Sequence, residues 1–313
     1  MKHSVVIPTR NRAASLARAL GSLSDALPPR ATWEVVVADN GSRDDTQQVI
    51  ARFRDKLPLR GVLEPREGVS HARNAGIDAA SGEYLIWTDD DVTVCRDWLR
   101  LYESAFEKHP HVAFFGAPIR PRFIGEPPHW IPEQLPSIAS VFAGLELPTP
   151  PLPLDALSKR LPYGANMAVR GAEQRQHRFD PGVGRQPWRH GILSGEETNM
   201  LKQIAAAGGT GMWLPDAGVD HWIEPERQTL EYVRRFYVGS GYLAAMRGIE
   251  RGRAVSARAR WRLRRRVAWK RSLYWAARLS GRSEWWMPVL RRNAELRGRL
   301  LAHCEASAAR PPA

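Results

Sequence analysis

Three adjacent carboxylates, Asp89, Asp90 and Asp91, follow directly on the apolar run EYLIWT. Three neighbouring negative charges repel one another, and proteins tolerate that repulsion when a hard cation lies among them. Mg²⁺ or Mn²⁺ is the natural occupant, and such an ion keeps water ligands and also binds substrate phosphates. The alternative is a solvated acidic turn in which an aspartate caps the next helix.

The elements around these acids favour a metal site because the first 116 residues alternate between two patterns. The runs HSVVIP, WEVVVAD, LRGVLE, EYLIWT and VAFFGA have the composition of buried strands. Between them, AASLARALGSL, DDTQQVIARF, GVSHARNAGIDAA and RDWLRLYESAFEKH have helical spacing. This alternation predicts an α/β fold, with a Rossmann-like, mostly parallel sheet and helices on both faces.

Polar residues follow three of the predicted strands at their carboxyl ends, where open α/β sheets bind ligands. They are Thr9, Arg10 and Asn11 after the first strand, Asp39 and Asn40 after the second, and Asp89, Asp90 and Asp91 after the fourth. We expect these side chains to converge on one edge of the sheet.

Residues 117–162 interrupt the alternation with proline-rich stretches such as GEPPHWIPEQLP and LPTPPLPL. Proline disfavours a core helix or central strand, so we expect an irregular binding loop or lid on the acceptor side. The alternation resumes with YGANMAVR, a predicted strand, and SGEETNMLKQIAAAG, a predicted helix. Glu196 and Glu197 lie in the first turn of that helix, where the helix dipole favours acids.

The net charge of +13 is concentrated at the C-terminus. Residues 247–313 carry 18 Lys/Arg and 4 Asp/Glu, whereas residues 1–246 carry 28 and 29. The two cysteines have no metal-ligand spacing, and the sequence begins without a secretory apolar region, so we expect a reducing, cytoplasmic compartment. No apolar run approaches the roughly 18 residues of a membrane span.

Residues 258–299 alternate arginines with tryptophans, which suits a peripheral contact with an anionic membrane on its inner face. Packing of a helical hairpin on the catalytic domain is the second interpretation. Nucleic acid is disfavoured because no DNA- or RNA-binding motif accompanies the charge.

Five segments in order resemble a known family: VVIPTRNRAASLARALGSL, VVVADNGSRDDT, GVSHARNAGIDAASGEYLIWTDDDV, YGANMAVR and GEETNMLKQ. Together they resemble family 2 inverting glycosyltransferases with the GT-A fold, over roughly residues 3–245. The resemblance implies a GT-A domain over residues 1–246, with residues 247–313 as a basic helical appendage.

The resemblance also implies a nucleotide-sugar site that holds Mg²⁺ or Mn²⁺. Asp91 matches the acid that ligates the metal, and His221 matches a histidine that reaches the metal or the diphosphate. The nucleotide-binding residues so implied are Thr9, Arg10, Asn11, Asp39, Arg73, Asp89 and Asp90.

Glu197 matches the family's catalytic base, although that residue is usually aspartate, and Glu196 is the alternative base. Asn166 fits an acceptor-side or backbone-organising position. The implied reaction transfers a sugar from a UDP- or dTDP-sugar to a glycan or lipid-linked acceptor in cell-surface polysaccharide or glycoconjugate synthesis. A nucleotidyltransferase and a non-catalytic glycan- or nucleotide-binding protein remain as alternatives; the first usually has a glycine-rich loop after strand one, which PTRNRAASL lacks.

Overall fold

The computed structural model describes residues 2–148, 152–154, 161–182, 186–188, 190–253 and 255–308. The strands of this part of the chain are β1 (Lys2–Thr9), β2 (Thr32–Asp39), β3 (Leu59–Leu63), β4 (Tyr84–Thr88), β5 (Val92–Val94), β6 (Phe114–Gly116), β7 (Ile119–Phe123), β8 (Leu152–Leu154), β9 (Asn166–Arg170), β10 (Gln186–Trp188), β11 (Gly191–Leu193), β12 (Gly211–Trp213) and β13 (Val219–Ile223). The helices are α1 (Ala13–Asp25), α2 (Thr46–Phe53), α3 (Val69–Ala79), α4 (Trp98–Lys108), α5 (Trp130–Ile138), α6 (Gly171–Gln176), α7 (Glu196–Ala206), α8 (Leu230–Glu250), α9 (Ala257–Arg278) and α10 (Ser283–Ala308).

The main sheet has eight strands in the order β3-β2-β1-β4-β9-β6-β12-β8. The first four strands are mutually parallel, as the alternating pattern predicts. β9, the YGANMAVR strand, runs antiparallel between β4 and β6. The α/β class and the mostly parallel sheet are therefore confirmed, with one antiparallel strand at the centre.

Successive residues of β1 point to opposite faces of this sheet, and each face carries its own hydrophobic core. Val5 and Ile7 pack with side chains of α1, α2 and α4. Val6 packs on the other face with side chains of α3 and α7. This alternation gives helices an apolar surface to pack on at both faces. The parallel direction of β1, β2 and β4 brings their carboxyl ends to one edge.

A smaller sheet of order β5-β13-β7 contributes to the same compact unit. β13 pairs antiparallel with β5, and His221 lies opposite Val92 in that register. The Trp222 amide also donates to the Asp91 carbonyl over 2.8 Å. The pairing therefore brings β13 alongside the three acids that follow β4.

The proline-rich segment 117–162 is more regular than predicted. It contains β7, α5 and β8, and β8 is the last strand in the order of the main sheet, which keeps Pro153 at an edge. Pro132 lies in the first turn of α5, where a missing amide proton breaks no helical bond. Residues 149–151 and 155–160 of this segment lie outside the described residues.

A second compact unit comprises Phe123–Val141, Arg185–Ser194 and Glu224–Ala313, and α8, α9 and α10 form most of it. α10 crosses α8 closely because glycine occupies the crossing on both helices. A Cβ at Gly241 or Gly298 would overlap a backbone carbonyl oxygen of the other helix. The predicted helical C-terminus is confirmed, whereas the boundary at residue 246, which falls inside α8, stays a prediction.

No helix in the described part of the chain combines the length and apolar character that crossing a membrane requires.

Candidate active site

Two of the three carboxylates that follow β4, Asp90 and Asp91, contact side chains at or just beyond the end of β1. The Thr9 hydroxyl donates a hydrogen bond to Asp90 Oδ2 over 2.8 Å, and both groups are buried. Arg12 Nη1 lies 3.0 Å from Asp90 Oδ1 and 3.0 Å from Asp91 Oδ2. The expected convergence of these two strand ends is therefore present in the structure.

Arg12 is a site residue that the sequence analysis did not include. It lies one position beyond Asn11, and its guanidinium partly neutralises the acidic cluster. Burial would lower the pKa of Arg12, but the charges of Asp90 and Asp91 outweigh burial and raise it. For Asp90, burial raises the pKa and Arg12 opposes that change. The sequence feature that could have identified Arg12 is its position just after β1, at the same edge of the sheet as the acids.

His221 faces the last of the three acids. Its Nε2 lies 3.2 Å from Asp91 Oδ1, and its Nδ1 lies 2.7 Å from the Phe142 carbonyl oxygen. When Nδ1 donates its proton to that carbonyl, the Nε2 lone pair of the neutral ring points to the carboxylate. A backbone carbonyl on the far ring nitrogen is also the usual support of a metal-ligating histidine.

The donor set fits a divalent cation. Asp91 supplies a carboxylate oxygen and His221 a ring nitrogen, and two acceptors 3.2 Å apart are compatible when a cation or a proton lies between them. Within the residues that the structure describes, no group of three or more His, Cys, Asp or Glu side chains is arranged to hold a metal ion. An ion held here would therefore need water and substrate phosphate oxygens to complete its coordination, as Mg²⁺ commonly does.

A second charged cluster forms around Arg73, which lies on α3 and is buried. Its Nη1 lies 2.7 Å from Glu196 Oε1 and 3.0 Å from Glu197 Oε1. Its Nη2 lies 3.4 Å from Asp89 Oδ1. Arg73 thus connects the acids after β4 with the acids at the start of α7.

The charge of Arg73 is fixed by these carboxylates. Burial would lower the pKa of Arg73, but the charges of Glu197, Glu196 and Asp89 outweigh burial and raise it. The ring of Phe179 also lies 5.2 Å from the guanidinium carbon, which adds a cation–π contact. Arg73 is therefore a permanent cation in the centre of the site.

The two glutamates at the start of α7 have different environments. Glu196 has a side-chain exposure of 2%, and its Oε2 accepts a hydrogen bond from the Gly195 amide over 2.9 Å. Burial and the neighbouring Glu197 charge raise the pKa of Glu196 to about 7. Glu197 has a side-chain exposure of 13%, and its Oε1 accepts from the Gly164 amide over 3.3 Å. Glu197 is therefore the more accessible of the two carboxylates.

Gly164 makes room for this arrangement. A Cβ at this position would lie 2.5 Å from Arg73 Nη2 and 2.9 Å from Glu197 Oε1. Any larger residue would displace the Arg73–Glu197 ion pair. The sequence signal for Gly164 was its place in YGANMAVR, and the sequence analysis assigned it no role.

Asp39 lies beside Thr9 because these residues are register partners at the ends of β1 and β2. The Asp39 side chain is buried, and its Oδ1 accepts a hydrogen bond from the Ser42 amide over 2.9 Å. Its Oδ2 accepts from the Gln47 side-chain amide. These bonds orient the carboxylate at the carboxyl edge of the sheet, so contact with a base remains a proposal.

Asn11 and Arg10 differ in what they contact. Asn11 has a φ of 51°, and its side-chain oxygen accepts from the Arg43 amide over 2.7 Å. It therefore ties the loop after β1 to the loop after β2. Arg10 forms an exposed ion pair with Glu67. Nucleotide binding by either side chain stays a prediction.

Asn166 is fully buried, and its amide is saturated by the protein. Its Nδ2 donates to the carbonyls of Pro118 and Ala217 over 2.9 and 2.8 Å. Its Oδ1 accepts from Trp98 Nε1 and the Tyr102 hydroxyl over 3.0 and 2.9 Å. These four bonds use both amide protons and both oxygen lone pairs. We therefore propose the backbone-organising role for Asn166 and not the acceptor-side role.

Comparisons with known proteins identify the family of the chain. The family model described as Glycosyl transferase family 2 matches residues 4–149. The succinoglycan biosynthesis protein ExoM of Rhizobium meliloti (strain 1021) is 30% identical over 237 residues, which cover 73% of this chain and 70% of ExoM. The chain belongs to glycosyl transferase family 2. As a family 2 glycosyltransferase it is an enzyme, and the expected resemblance is confirmed.

Other relatives match this glycosyltransferase over shorter stretches. Validoxylamine A glucosyltransferase of Streptomyces hygroscopicus subsp. jinggangensis is 43% identical over 91 residues, which cover 28% of this chain and 22% of that protein. The match is thus confined to a small part of that relative, and its activity as a whole does not transfer.

Solved structures with the same fold confirm the GT-A architecture. TarS 1–349 of Staphylococcus aureus in complex with UDP superposes with a TM-score of 0.55 at 19% identity, over 99% of this chain and 92% of that one. The Pyrobaculum calidifontis mannosyltransferase PcManGT, in complex with GDP-Man and Mn²⁺, gives 0.54 at 19% identity, over 99% and 76%. At these identities the likeness shows the fold alone.

Proposed function

We propose that this family 2 glycosyltransferase is a metal-dependent, inverting enzyme that takes its sugar from a UDP- or dTDP-linked donor. The observation that carries the proposal is the link between two clusters. Arg73 contacts Asp89 on one side and Glu196 and Glu197 on the other, at 2.7 to 3.4 Å. Arg73 therefore lies between acids that suit a metal–diphosphate and acids that suit the uptake of a proton.

The donor side is the edge formed by β1, β2 and β4. Asp39 carries a carboxylate that can accept the N3 hydrogen of uracil or thymine, and Thr9 lies beside it in the register. Neighbours with the same fold support a pyrimidine nucleotide as the donor, since one TarS structure holds UDP and another UDP-GlcNAc. The Asp39 carboxylate and the uracil nucleotides of these neighbours are the grounds on which we favour UDP or dTDP.

Asp91 and His221 are the proposed metal ligands. Their 3.2 Å separation and the Phe142 carbonyl behind His221 fit Mg²⁺ or Mn²⁺. When bound, the ion would act as a Lewis acid that neutralises charge on the departing diphosphate. Two neighbours of the same fold, PcManGT and GalNAc-T7, were solved with Mn²⁺.

Glu197 is the proposed base. Its carboxylate is more exposed than that of Glu196, whose two oxygens are taken by Arg73 and the Gly195 amide. Arg73 holds the Glu197 side chain in place, since its Nη1 lies 3.0 Å from Glu197 Oε1. Arg73 is thus a positioning residue for the base.

The proposed reaction is a single displacement. The acceptor hydroxyl oxygen bonds to the anomeric carbon as the bond from that carbon to the diphosphate oxygen breaks. The hydroxyl proton passes to the Glu197 carboxylate, and the electron pair of the broken bond leaves with the nucleoside diphosphate. Attack opposite to the leaving group inverts the anomeric configuration.

The matched pair Glu197→Gln and Glu196→Gln tests this assignment. Both changes remove one carboxylate from the Arg73 cluster and keep its shape. We expect Glu197→Gln to keep Mn²⁺-dependent UDP binding and to lower the release of UDP from a UDP-sugar about 10²- to 10⁴-fold, with water as the acceptor. Glu196→Gln should lose much less. Turnover by Glu197→Gln at the parent rate would refute the base assignment.

The acceptor is proposed from a relative. ExoM is named for succinoglycan biosynthesis, which supports a glycan or lipid-linked acceptor and a role in polysaccharide synthesis. Family membership favours glycosyl transfer over nucleotidyl transfer and over binding without turnover. The cytoplasmic location stays a prediction.

A further inference from the structure

One helix of the C-terminal unit is largely open to solvent. α9 runs over 22 residues from Ala257 to Arg278, and none of its residues is buried. Half-buried side chains such as Leu263, Val267 and Tyr274 lie along one side of the helix. Asn293 of α10 donates to the Val267 carbonyl over 2.7 Å on that side. The opposite side of α9 is therefore free for a partner from outside the chain.

The open side carries large apolar rings in water. Trp261, Trp269 and Trp275 have exposures of 55%, 62% and 60%. At about 100° per residue they fall within an arc of about 120°, and they extend over about 21 Å of helix. Leu279 and Trp285, just beyond α9, are also exposed. Such a concentration of exposed apolar side chains marks an interaction surface.

The same side is strongly basic. α9 contains nine Lys/Arg, which are distributed around the helix, and no Asp/Glu. Arg258, Arg262 and Arg265 are exposed and project from the side that carries the tryptophans. The guanidinium carbon of Arg265 lies 4.8 Å from the centre of the Trp261 ring, so charge and ring are presented together. The partner must therefore accept cations and aromatic rings over one extended, nearly flat area.

We propose that the open side of α9 binds the surface of an anionic phospholipid bilayer. The headgroup region offers anionic phosphates to the arginines and an interfacial layer in which tryptophan rings are favoured. A straight helix that lies parallel to a flat surface turns all three tryptophans towards that surface. Because basic and aromatic residues share one side, the contact is a shallow one in which electrostatics steer the helix and the rings anchor it.

A bilayer accounts for the tryptophans better than a nucleic acid does. A polyanionic strand would engage the arginines, but stacking would need unpaired bases splayed out at three separate positions along the helix. This inference goes beyond the proposed function and is independent of it, because no residue of the catalytic site takes part. Its test needs neither donor nor acceptor.

The test is co-sedimentation of the full chain with vesicles. We expect binding to vesicles of phosphatidylcholine with 30% phosphatidylglycerol and a blue shift of tryptophan emission. Pure phosphatidylcholine vesicles should bind at least tenfold more weakly, and 0.5 M NaCl should release the protein because the Debye length falls to a few ångströms. Absence of binding to the anionic vesicles at 0.05 M NaCl would overturn the proposal.

Two triple variants locate the contact. Replacing Arg258, Arg262 and Arg265 by Gln should weaken vesicle binding about 100-fold, since each basic residue near an anionic surface contributes about fivefold. Replacing Trp261, Trp269 and Trp275 by Ser should weaken it about tenfold and remove most of the blue shift. Because these side chains are exposed, both variants should keep the parent circular dichroism and melting temperature.

The matched control removes the same charge elsewhere. Arg52, Arg54 and Lys56 are exposed residues of the catalytic unit, and their replacement by Gln should leave vesicle binding unchanged. If the control lost as much vesicle binding as the α9 variants, binding would depend only on the overall charge. That result would overturn the assignment of the contact to α9. A 30-nucleotide poly(U) strand that the vesicles fail to displace would identify nucleic acid as the partner and also overturn it.

Discussion

Arg12 holds the acidic cluster together in the absence of a metal. One guanidinium nitrogen lies 3.0 Å from both Asp90 and Asp91. Any cation bound by Asp91 shares that carboxylate with Arg12 and is repelled by its charge. We therefore expect Arg12 to stabilise the free protein and to weaken metal binding when no diphosphate is present.

The substitution Arg12→Gln tests this competition. We expect Mn²⁺ to bind the nucleotide-free variant about 3- to 30-fold more tightly than the parent, because a positive charge close to the ligand has been removed. Titration calorimetry with Mn²⁺ alone measures this directly. Arg52→Gln, an exposed change, serves as the control. Weaker Mn²⁺ binding by Arg12→Gln would show that Arg12 supports the metal site and does not compete with it.

The raised pKa of Glu196 predicts that the stability of the protein depends on pH. Burial and the charge of Glu197 raise its pKa to about 7, above the value near 4.5 of an unfolded chain. The folded state then binds the proton more tightly, so this group's contribution falls as pH rises from about 4.5 to about 7. Glu196→Gln removes that loss because the amide does not titrate, and it keeps the shape of the side chain.

Urea unfolding at pH 5 and pH 8 measures the effect. Relative to the parent, Glu196→Gln should gain about 1–3 kcal/mol in unfolding free energy at pH 8 compared with pH 5. Glu107→Gln, at an exposed position of α4, should show no such difference. If Glu196→Gln gained no more unfolding free energy at pH 8 than at pH 5, Arg73 would have to keep Glu196 ionised throughout this range.

Some residues of the candidate site could be predicted from the sequence, and others could not. Thr9 and the acids after β4 could be placed together because parallel strands end at one edge of the sheet. Arg12 and Gly164 could not, since a long side chain's direction and a missing Cβ become meaningful only when the neighbours are known. Asn166 was expected, from its place in YGANMAVR, at an acceptor-side or backbone-organising position, and its four buried hydrogen bonds favour the second.

At the scale of elements, the crossing of α8 and α10 depends on glycine. A Cβ at Gly241 would overlap the carbonyl oxygen of Glu295, whereas a Cβ at Gly248 of α8 meets nothing within 4 Å. We expect Gly241→Ala to cost about 1–3 kcal/mol through overpacking. Gly248→Ala should stabilise by about 0.5–1 kcal/mol because alanine favours a helix more than glycine does. Urea unfolding compares them, and equal effects would exclude a tight crossing.

The order of the alternating elements could be predicted, but the direction of β9 could not. An apolar run such as ANMAV is compatible with either direction when both its neighbours bury it. The proline-rich segment was also misread in part. Pro132 lies in the first turn of α5 and Pro153 in an edge strand, and neither position needs a proline amide proton. Pro136 lies inside α5, where proline is ordinarily disfavoured.

At the scale of the whole molecule, charge and chemistry are separated along the chain. Residues 1–246 are nearly neutral and carry the proposed catalytic residues, whereas residues 247–313 carry the excess of Lys/Arg. Composition alone could predict this division.

The central claim is that the acids after β4 bind a metal together with a nucleoside diphosphate. Titration calorimetry of UDP and dTDP, with Mn²⁺ and with EDTA, tests it in the parent, in Asp91→Asn and in the exposed control Asp55→Asn. We predict that the parent and Asp55→Asn bind one of the two nucleotides at least tenfold more tightly with Mn²⁺, and that Asp91→Asn loses this dependence. Equal binding with Mn²⁺ and EDTA, or Mn²⁺-dependent binding that survives in Asp91→Asn, would contradict the account.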